Sequence, residues 1–286
     1  MIRTCAQMIV HELLIETQPG YRQRRLEIED ETRRIIESGR AIEAVGELYT
    51  IDTIVHVVHR TDEENVSDEQ VQSQLDVLNR DFRAQNEDLQ HVPAPWTSLA
   101  GDAKIEFTLG EITRTETKVE GFGADDSVKR AVPPVEPDRK LNLWVCSLTG
   151  GLLGYAQFPG GPKDSDGVVI LNRAFGTTGT ASAPFDGGRT AVHEVGHFLN
   201  LRHIWGDRND CSGNDFVADT PKARQANTGR PTFPHITCDN GPHGDMFMNY
   251  MDYTDDDSMF MFTVGQVARM NATLVGPRAA LAAATV

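Results

Sequence analysis

His193-Glu194-Val195-Gly196-His197-Phe198-Leu199-Asn200-Leu201-Arg202-His203 decides how the rest of this 286-residue chain is read. Thr190–Leu201 has a helical pattern. Four residues along a helix turn through roughly 400°, so His193 and His197 share one face, one turn apart. That spacing brings two imidazoles onto a single Zn²⁺ at Zn–N distances near ~2.0 Å. Glu194 lies beside His193, placed to hold and deprotonate a water at the metal. His203 reaches the same ion only if the chain leaves the helix and turns back. Asn200 stands at that turn, and Asn is, after Gly, the residue that best tolerates a left-handed backbone. Three protein ligands leave a fourth position open, which marks a catalytic rather than a structural zinc. The competing reading is a chance His-Glu-x-x-His in an ordinary helix; the third histidine and the helical context weigh against it.

Outward from this stretch the chain falls into unlike parts. Residues 1–45 hold seven Arg and eight Asp or Glu, and Tyr21–Arg40 reads as a largely solvated helix whose few apolar residues are Leu26, Ile28, Ile35 and Ile36. Leu48–His59 is a β-branched run that reads as a buried strand. Ser67–Asp88 reads as a helix, opened by the capping pair Ser67 and Gln70, with Val71, Leu75, Leu78 and Phe82 on one face. Lys104–Thr113 alternates as a strand, and Leu141–Cys146 and Val168–Leu171 are shorter ones. Gly150–Gly161, glycine-rich, is an exposed edge or a loop. Trp205–Phe247 is rich in Asp, Gly, Asn and Pro and has no periodicity. A last helix begins at Thr263, paired with Gln266, and buries Val267, Met270 and Leu274. The order implies an α+β domain: a mixed sheet above, an irregular half below.

Composition narrows the function. A formal charge of −15 argues against nucleic acid, whose phosphates would be repelled. Trp205–Asp257 contains ten Asp and only four Lys or Arg, which fits solvated loops, calcium or cationic substrates. No apolar run is long enough to span a bilayer. No signal peptide is visible, since His11 and Glu12 interrupt Met1–Leu14; either one was removed before this numbering or the chain is not exported. Cys5, Cys146, Cys211 and Cys238 permit three fully paired connectivities, and all four could equally be free.

The long motif resembles the metzincin metallopeptidases, and within them the pappalysin group that includes the ulilysin- and cytophagalysin-like enzymes. Asn200 replaces the usual glycine, a departure shared by the cytophagalysin-like members. The resemblance implies a metzincin-like fold: a mixed twisted sheet with a backing helix and an active-site helix, then an irregular, loop-rich C-terminal subdomain. Asn249-Tyr250-Met251-Asp252-Tyr253 is similar to the family's Met-turn. Met251 would be the methionine beneath the metal, and Tyr253 the phenol that bonds the tetrahedral intermediate; Met248 and Tyr250 share the spacing and leave the register open. Leu153-Gly154-Tyr155-Ala156-Gln157 resembles the edge strand to which extended substrate adds through backbone bonds, with Gly154, Tyr155 and Ala156 in contact.

Further implications follow from the same resemblance. Arg3-Thr4-Cys5 looks like a propeptide cysteine switch, with Cys5 as a zinc ligand in a latent form. Residues 1–45 would then be a propeptide and 46–286 the catalytic domain, in subdomains 46–197 and 198–286. Cys211 and Cys238 match a family disulfide, stabilising by about 3–4 kcal/mol in the chain-entropy model, which leaves Cys146 a buried thiol. Asp215-Phe216-Val217-Ala218-Asp219-Thr220 resembles a calcium loop, with Asp215, Asp219 and Thr220 as hard ligands. Asp256, with Asp255 as alternate, takes the position of an acidic pocket base that selects Arg or Lys after the cut bond, a preference that would also cut Gly39–Arg40. The expectation is a secreted, monomeric, calcium-supported zinc endopeptidase acting on proteins or peptides, with its own propeptide as inhibitor. Two alternatives stand beside it: a non-catalytic binding module on the same fold, and a peptidase whose third ligand is a downstream Glu.

Overall fold

A computed structural model describes residues 3–40 and 48–282 of the chain. The expected boundary at residues 45 and 46 therefore lies outside the described residues. Two helices come first, α1 (Gln7–Thr17) and α2 (Tyr21–Glu37), and α1 was not foreseen from the sequence. β1 (Tyr49–His59), α3 (Asp68–Phe82), β2 (Ile105–Glu116), the short α4 (Ser127–Ala131), β3 (Leu141–Cys146), β4 (Gly154–Ala156) and β5 (Val168–Leu171) build the upper half. α5 (Arg189–Phe198) carries the histidine motif. Among the described residues the lower half holds the two-residue strands β6 (Thr228–Gly229) and β7 (Tyr253–Thr254), the helix α6 (Val264–Leu274) and 3₁₀ turns at Asp256–Ser258 and Ala279–Leu281.

The five-stranded sheet has the order β2-β1-β3-β5-β4. Its first four strands pair in parallel and β4 closes the edge antiparallel to β5. β1 carries the unbroken run Ile54–Val58 because both its faces are covered, the pattern a central parallel strand requires. α3 packs Val71, Leu75, Leu78 and Phe82 onto this sheet, and α5 lies beside it over β4 and β5. Burying Phe82 fully is worth roughly 1.5–3 kcal/mol.

α3 is shorter than the sequence implied. It ends at Phe82, Ala84 takes a left-handed backbone (φ 49°), and the rest of the expected helix is a 3₁₀ turn at Glu87–His91. Ser67 accepts from Gln70 N as expected. The Gln70 side chain, however, reaches away to Asn172 O and Phe175 O, so only half of the capping box forms. At Thr263 the full box forms. α2 is less solvated than read: Tyr21, Arg25, Ile28, Thr32 and Ile35 make a buried stripe against the rest of the molecule. Cys211 and Cys238 are bonded, with Cα atoms 5.9 Å apart, and Cys146 is a buried free thiol. Among the described residues no helix is long and apolar enough to cross a membrane.

Candidate metal centre and active site

α5 presents His193 and His197 on one face, then stops. Leu199 caps it, Asn200 takes φ 74°, and Leu201 N returns to Gly196 O. This reversal delivers His203 to the same point. His197 Nε2 lies 3.1 Å from His193 Nε2 and 3.0 Å from His203 Nε2.

Each ring is aimed by its other nitrogen. His193 Nδ1 donates to Tyr250 O at 2.7 Å, His197 Nδ1 to Leu201 O at 2.8 Å, and His203 Nδ1 to Asp207 Oδ1. That tautomer leaves three unprotonated Nε2 atoms facing one another, with lone pairs that repel unless a cation lies among them. Burial holds His193 and His197 well below the ordinary imidazole range, so both stay neutral, the form that ligates. Burial works against the charge on Asp207, but His203 keeps its carboxylate below the usual range. The donor set therefore fits a divalent, nitrogen-preferring metal such as zinc. Asp207 was not singled out from the sequence, although its i+4 distance from His203 was there to be read.

Cys5 closes the cluster. Its Sγ and the ligand nitrogens of the three histidines all lie within 4.8 Å of one another. Cys5 Sγ also sits 3.4 Å from Glu194 Oε2, and Gln7 N donates to it at 3.3 Å. Burial and the nearby Glu194 push the thiol well above its ordinary value; a cation inverts that preference, because a coordinating thiol gives up its proton. Burial also raises the Glu194 carboxyl to about 8 against the opposing Cys5, Arg3 and Lys129.

The floor is Met251. A Cβ on Gly196 would meet Met251 Sδ at 2.5 Å, so glycine is needed for the methionine to lie under the helix. Asn249 Oδ1 accepts from Met251 N at 2.9 Å while its amide exchanges hydrogen bonds with Gln266, tying this turn to the cap of α6. The Tyr253 ring lies 5.7 Å from His193 and 5.0 Å from His203, and its hydroxyl donates to Cys5 O at 3.3 Å. Tyr250, in contrast, turns its fully buried ring against Phe262. Geometrically this favours the Met251/Tyr253 register over Met248/Tyr250.

β4 forms the wall. A Cβ on Gly154 would come within 2.9 Å of Glu194 Cγ, so only glycine lets the edge strand approach this closely. Residues 4–7 take the strand's free edge. Cys5 bridges Gly154 in parallel, Leu153 N donates to Thr4 O at 2.9 Å, and Ala6 N to Gly154 O at 3.0 Å. Gln7 Oε1 then accepts from Ala156 N at 3.1 Å. Tyr155 instead pairs with Val169 of β5, and its ring is buried in an apolar cluster with Ala6, Val10 and Leu14.

Arg3 enters a pocket beside the cluster. Its guanidinium pairs with Asp256 Oδ1, donates to Thr254 O at 3.1 Å and Thr190 Oγ1 at 3.0 Å, and lies 5.0 Å from the Phe185 ring centroid. Asp256 Oδ2 meanwhile accepts from Gly187 N at 2.8 Å and Arg189 N at 3.2 Å, at the start of α5. Asp255 points elsewhere, 3.7 Å from Arg230. In the acidic loop Asp215 Oδ2 accepts from Thr220 Oγ1 at 2.7 Å. Asp219 accepts from Thr263 Oγ1 at 2.6 Å and from Gly265 N at 2.8 Å, at the start of α6.

A three-histidine centre with an adjacent carboxylate, a methionine floor and an edge strand beside it defines a metallopeptidase. Comparison with known proteins agrees. The pattern of the family described as pregnancy-associated plasma protein-A matches residues 136–275. An extracellular metalloprotease of Arthroderma benhamiae is 32% identical over 228 residues, 77% of this chain and 76% of the relative. One from Pyricularia oryzae is 35% identical over 240 residues, 80% and 76% of the two chains. A promirolysin mutant of Tannerella forsythia superposes with a TM-score of 0.89 at 42% identity, over 98% of this chain and 97% of that one. Mature mirolysin of Tannerella forsythia in complex with a cleaved peptide gives 0.81 at 45% identity, over 83% and 96%. The chain belongs to the pappalysin family of metzincin metallopeptidases.

Proposed function

We propose that this chain is the latent form of a secreted zinc endopeptidase that cuts proteins before arginine or lysine. The observation that carries the reading is the seat of the leader: Cys5 at the three histidines and, two residues away, Arg3 on Asp256. The leader fills the chemical centre and the adjoining acidic pocket together; because Arg3 precedes Cys5, its chain runs opposite to a substrate whose basic residue follows the cut bond. The share of this chain matched rises from 83% for mature mirolysin to 98% for promirolysin, which supports residues 1–45 as a propeptide and 46–286 as the catalytic domain. Export is supported by the Cys211–Cys238 bond and by relatives named as extracellular.

Zinc would be held by His193, His197 and His203, with Cys5 as fourth ligand in the latent form; when bound it supplies Lewis acidity to a peptide carbonyl and acidifies water. The chain's own groups do the rest. Gly154 and Ala156 bind extended substrate through the backbone atoms that the leader now uses. Glu194 takes a proton from the attacking water and passes it to the leaving nitrogen. Tyr253 donates its phenolic hydrogen to the oxyanion. Asp256 receives the basic side chain, the fork of arginine matching its carboxylate better than lysine. Calcium would be held in the lower half by Asp215, Asp219 and Thr220 with backbone carbonyls.

The test is a peptide-library digest with the leader removed, read by mass spectrometry. Arg and Lys should dominate after the cut, and Asp256→Asn, which keeps an acceptor for the α5 amides, should abolish that enrichment. Glu194→Ala should keep its metal and lose activity by several orders of magnitude. Cleavage without basic enrichment would refute the specificity, and full activity of Glu194→Ala would refute the chemistry.

A further inference from the structure

Asn200 has more to do than turn the chain. Glycine would meet φ 74° without strain, so the amide must be explained by what it adds. It adds two polar atoms, and the leader takes both: Arg25 donates to Asn200 Oδ1 at 2.8 Å, and Asn200 Nδ2 donates to Thr32 Oγ1 at 3.3 Å. Arg25, Thr32 and Asn200 are all buried. Arg25 further donates to Pro159 O at 3.0 Å and lies 4.8 Å from the Phe158 ring centroid. One turn along α2, Glu29 joins Arg25 to Arg269, which in turn donates to Asn200 O at 2.7 Å. Arg24 reaches Gly160 O at 2.9 Å. This interface grips the end of β4 and the lower half at once, and it shares no atom with the Cys5 contacts.

We propose that α2 is an anchor independent of the thiol, that Asn200 is the residue that recognises it, and that the leader stays bound as a non-covalent partner after the chain is cut between residues 38 and 48. The proposal rests on the zymogen reading above. Tyr21–Glu37 lies wholly on the leader side of such a cut, so every contact just described survives it. The cut removes only the covalent tether and its effective concentration. Separation then requires Glu29 to be parted from Arg269, and Arg25 from Asn200 and Pro159, inside a buried interface where an abandoned charge is costly. A single cut at Gly39–Arg40 would thus leave an inhibited complex, and full activity would await a second cut within the leader.

The experiment uses the full chain in a Glu194→Ala background, with a site-specific protease sequence inserted between residues 43 and 44. After nicking, gel filtration with mass detection reads whether the leader fragment stays with the remainder. Because it reads docking and not hydrolysis, its outcome is separable from failure of the peptidase reading. The fragment should co-elute in equal amount and should still do so with Cys5→Ala. Arg25→Ala, which leaves the enzyme part unaltered, should weaken retention by roughly tenfold or more. Asn200→Gly should weaken it as well, and in the Arg25→Ala background it should cost less than it does alone, since only the Thr32 contact is then left to lose. Release of the fragment from the nicked Cys5→Ala chain, or Arg25→Ala holding as firmly as Arg25, would overturn the proposal.

Discussion

The two halves of the catalytic domain solve the same problem differently. Above α5, backbone N–H and C=O groups are consumed by a five-stranded ladder, and the side chains beneath it are free to be Val, Leu, Ile and Phe. Below α5 the described residues hold only the two-residue pair β6–β7, and buried carboxylates and amides do the ladder's work. Asp252 Oδ1 accepts from Asn227 N and Tyr253 N, both at 2.8 Å; Asp256, Asp219 and Asn249 similarly take Gly187 N, Gly265 N and Met251 N. Asp245 accepts from Thr237, Asn240 and Asn227. Asp252, Asp256, Asp219 and Asp245 thus each satisfy donors that a ladder would otherwise pair. A buried donor left unpaired costs about 1–3 kcal/mol, so the lower half depends on a few discrete contacts and the upper half on many interchangeable ones.

Metal removal should separate the halves most. With EDTA, activity should vanish, and hydrogen exchange should rise across residues 199–262 while β1, β2 and β3 stay protected. His203, Met251 and Tyr253 all belong to the half whose described residues have only that two-residue pair to fall back on. Uniform loss of protection across both halves would erase the distinction.

Substitution should sharpen it. Asp252→Ala leaves two buried backbone donors without an acceptor and should cost on the order of 2–4 kcal/mol by denaturant unfolding. Val55→Ala in β1 should cost no more than that, although Val55 is equally buried. A negligible cost at Asp252 would mean that water replaces the carboxylate freely.

The smallest effect is one of pH. Burial raises the Asp252 carboxyl to about 7. A raised carboxyl pKa means that the folded state holds this proton more tightly than the unfolded chain, whose value lies near ~3.9. Its contribution to stability is present at low pH and is lost as pH climbs through about 7. In calcium-free buffer, the Tm of wild type relative to Asp252→Asn should rise as pH falls from 8 to 6; a flat difference would contradict the burial argument.

This contrast also explains what could be read from the sequence. β1, β3, β5 and α5 were legible because periodicity and β-branching report a buried face directly. The metal ligands were legible because helix geometry fixes their spacing. The loops hid their logic, since an Asp that accepts from a helix start looks the same in sequence as one that binds calcium; the bonds of Asp219 to Thr263 Oγ1 and Gly265 N have no signature in the sequence. α1 was hidden for another reason. His11 interrupts its apolar run, and only its pairing with Tyr21 at 3.1 Å and its packing on Phe158 make it an interior residue. The role of Arg25 against Asn200, 175 positions away, has no local signature at all.

The proposed latent centre can be measured directly. X-ray absorption at the zinc edge of the purified full chain should show three nitrogen ligands near ~2.0 Å and one sulfur near ~2.3 Å, and Cys5→Ala should replace that sulfur by a light atom. A full chain with no sulfur at the metal, or a Cys5→Ala spectrum that still contains one, would contradict the assignment of His193, His197, His203 and Cys5 as the four ligands.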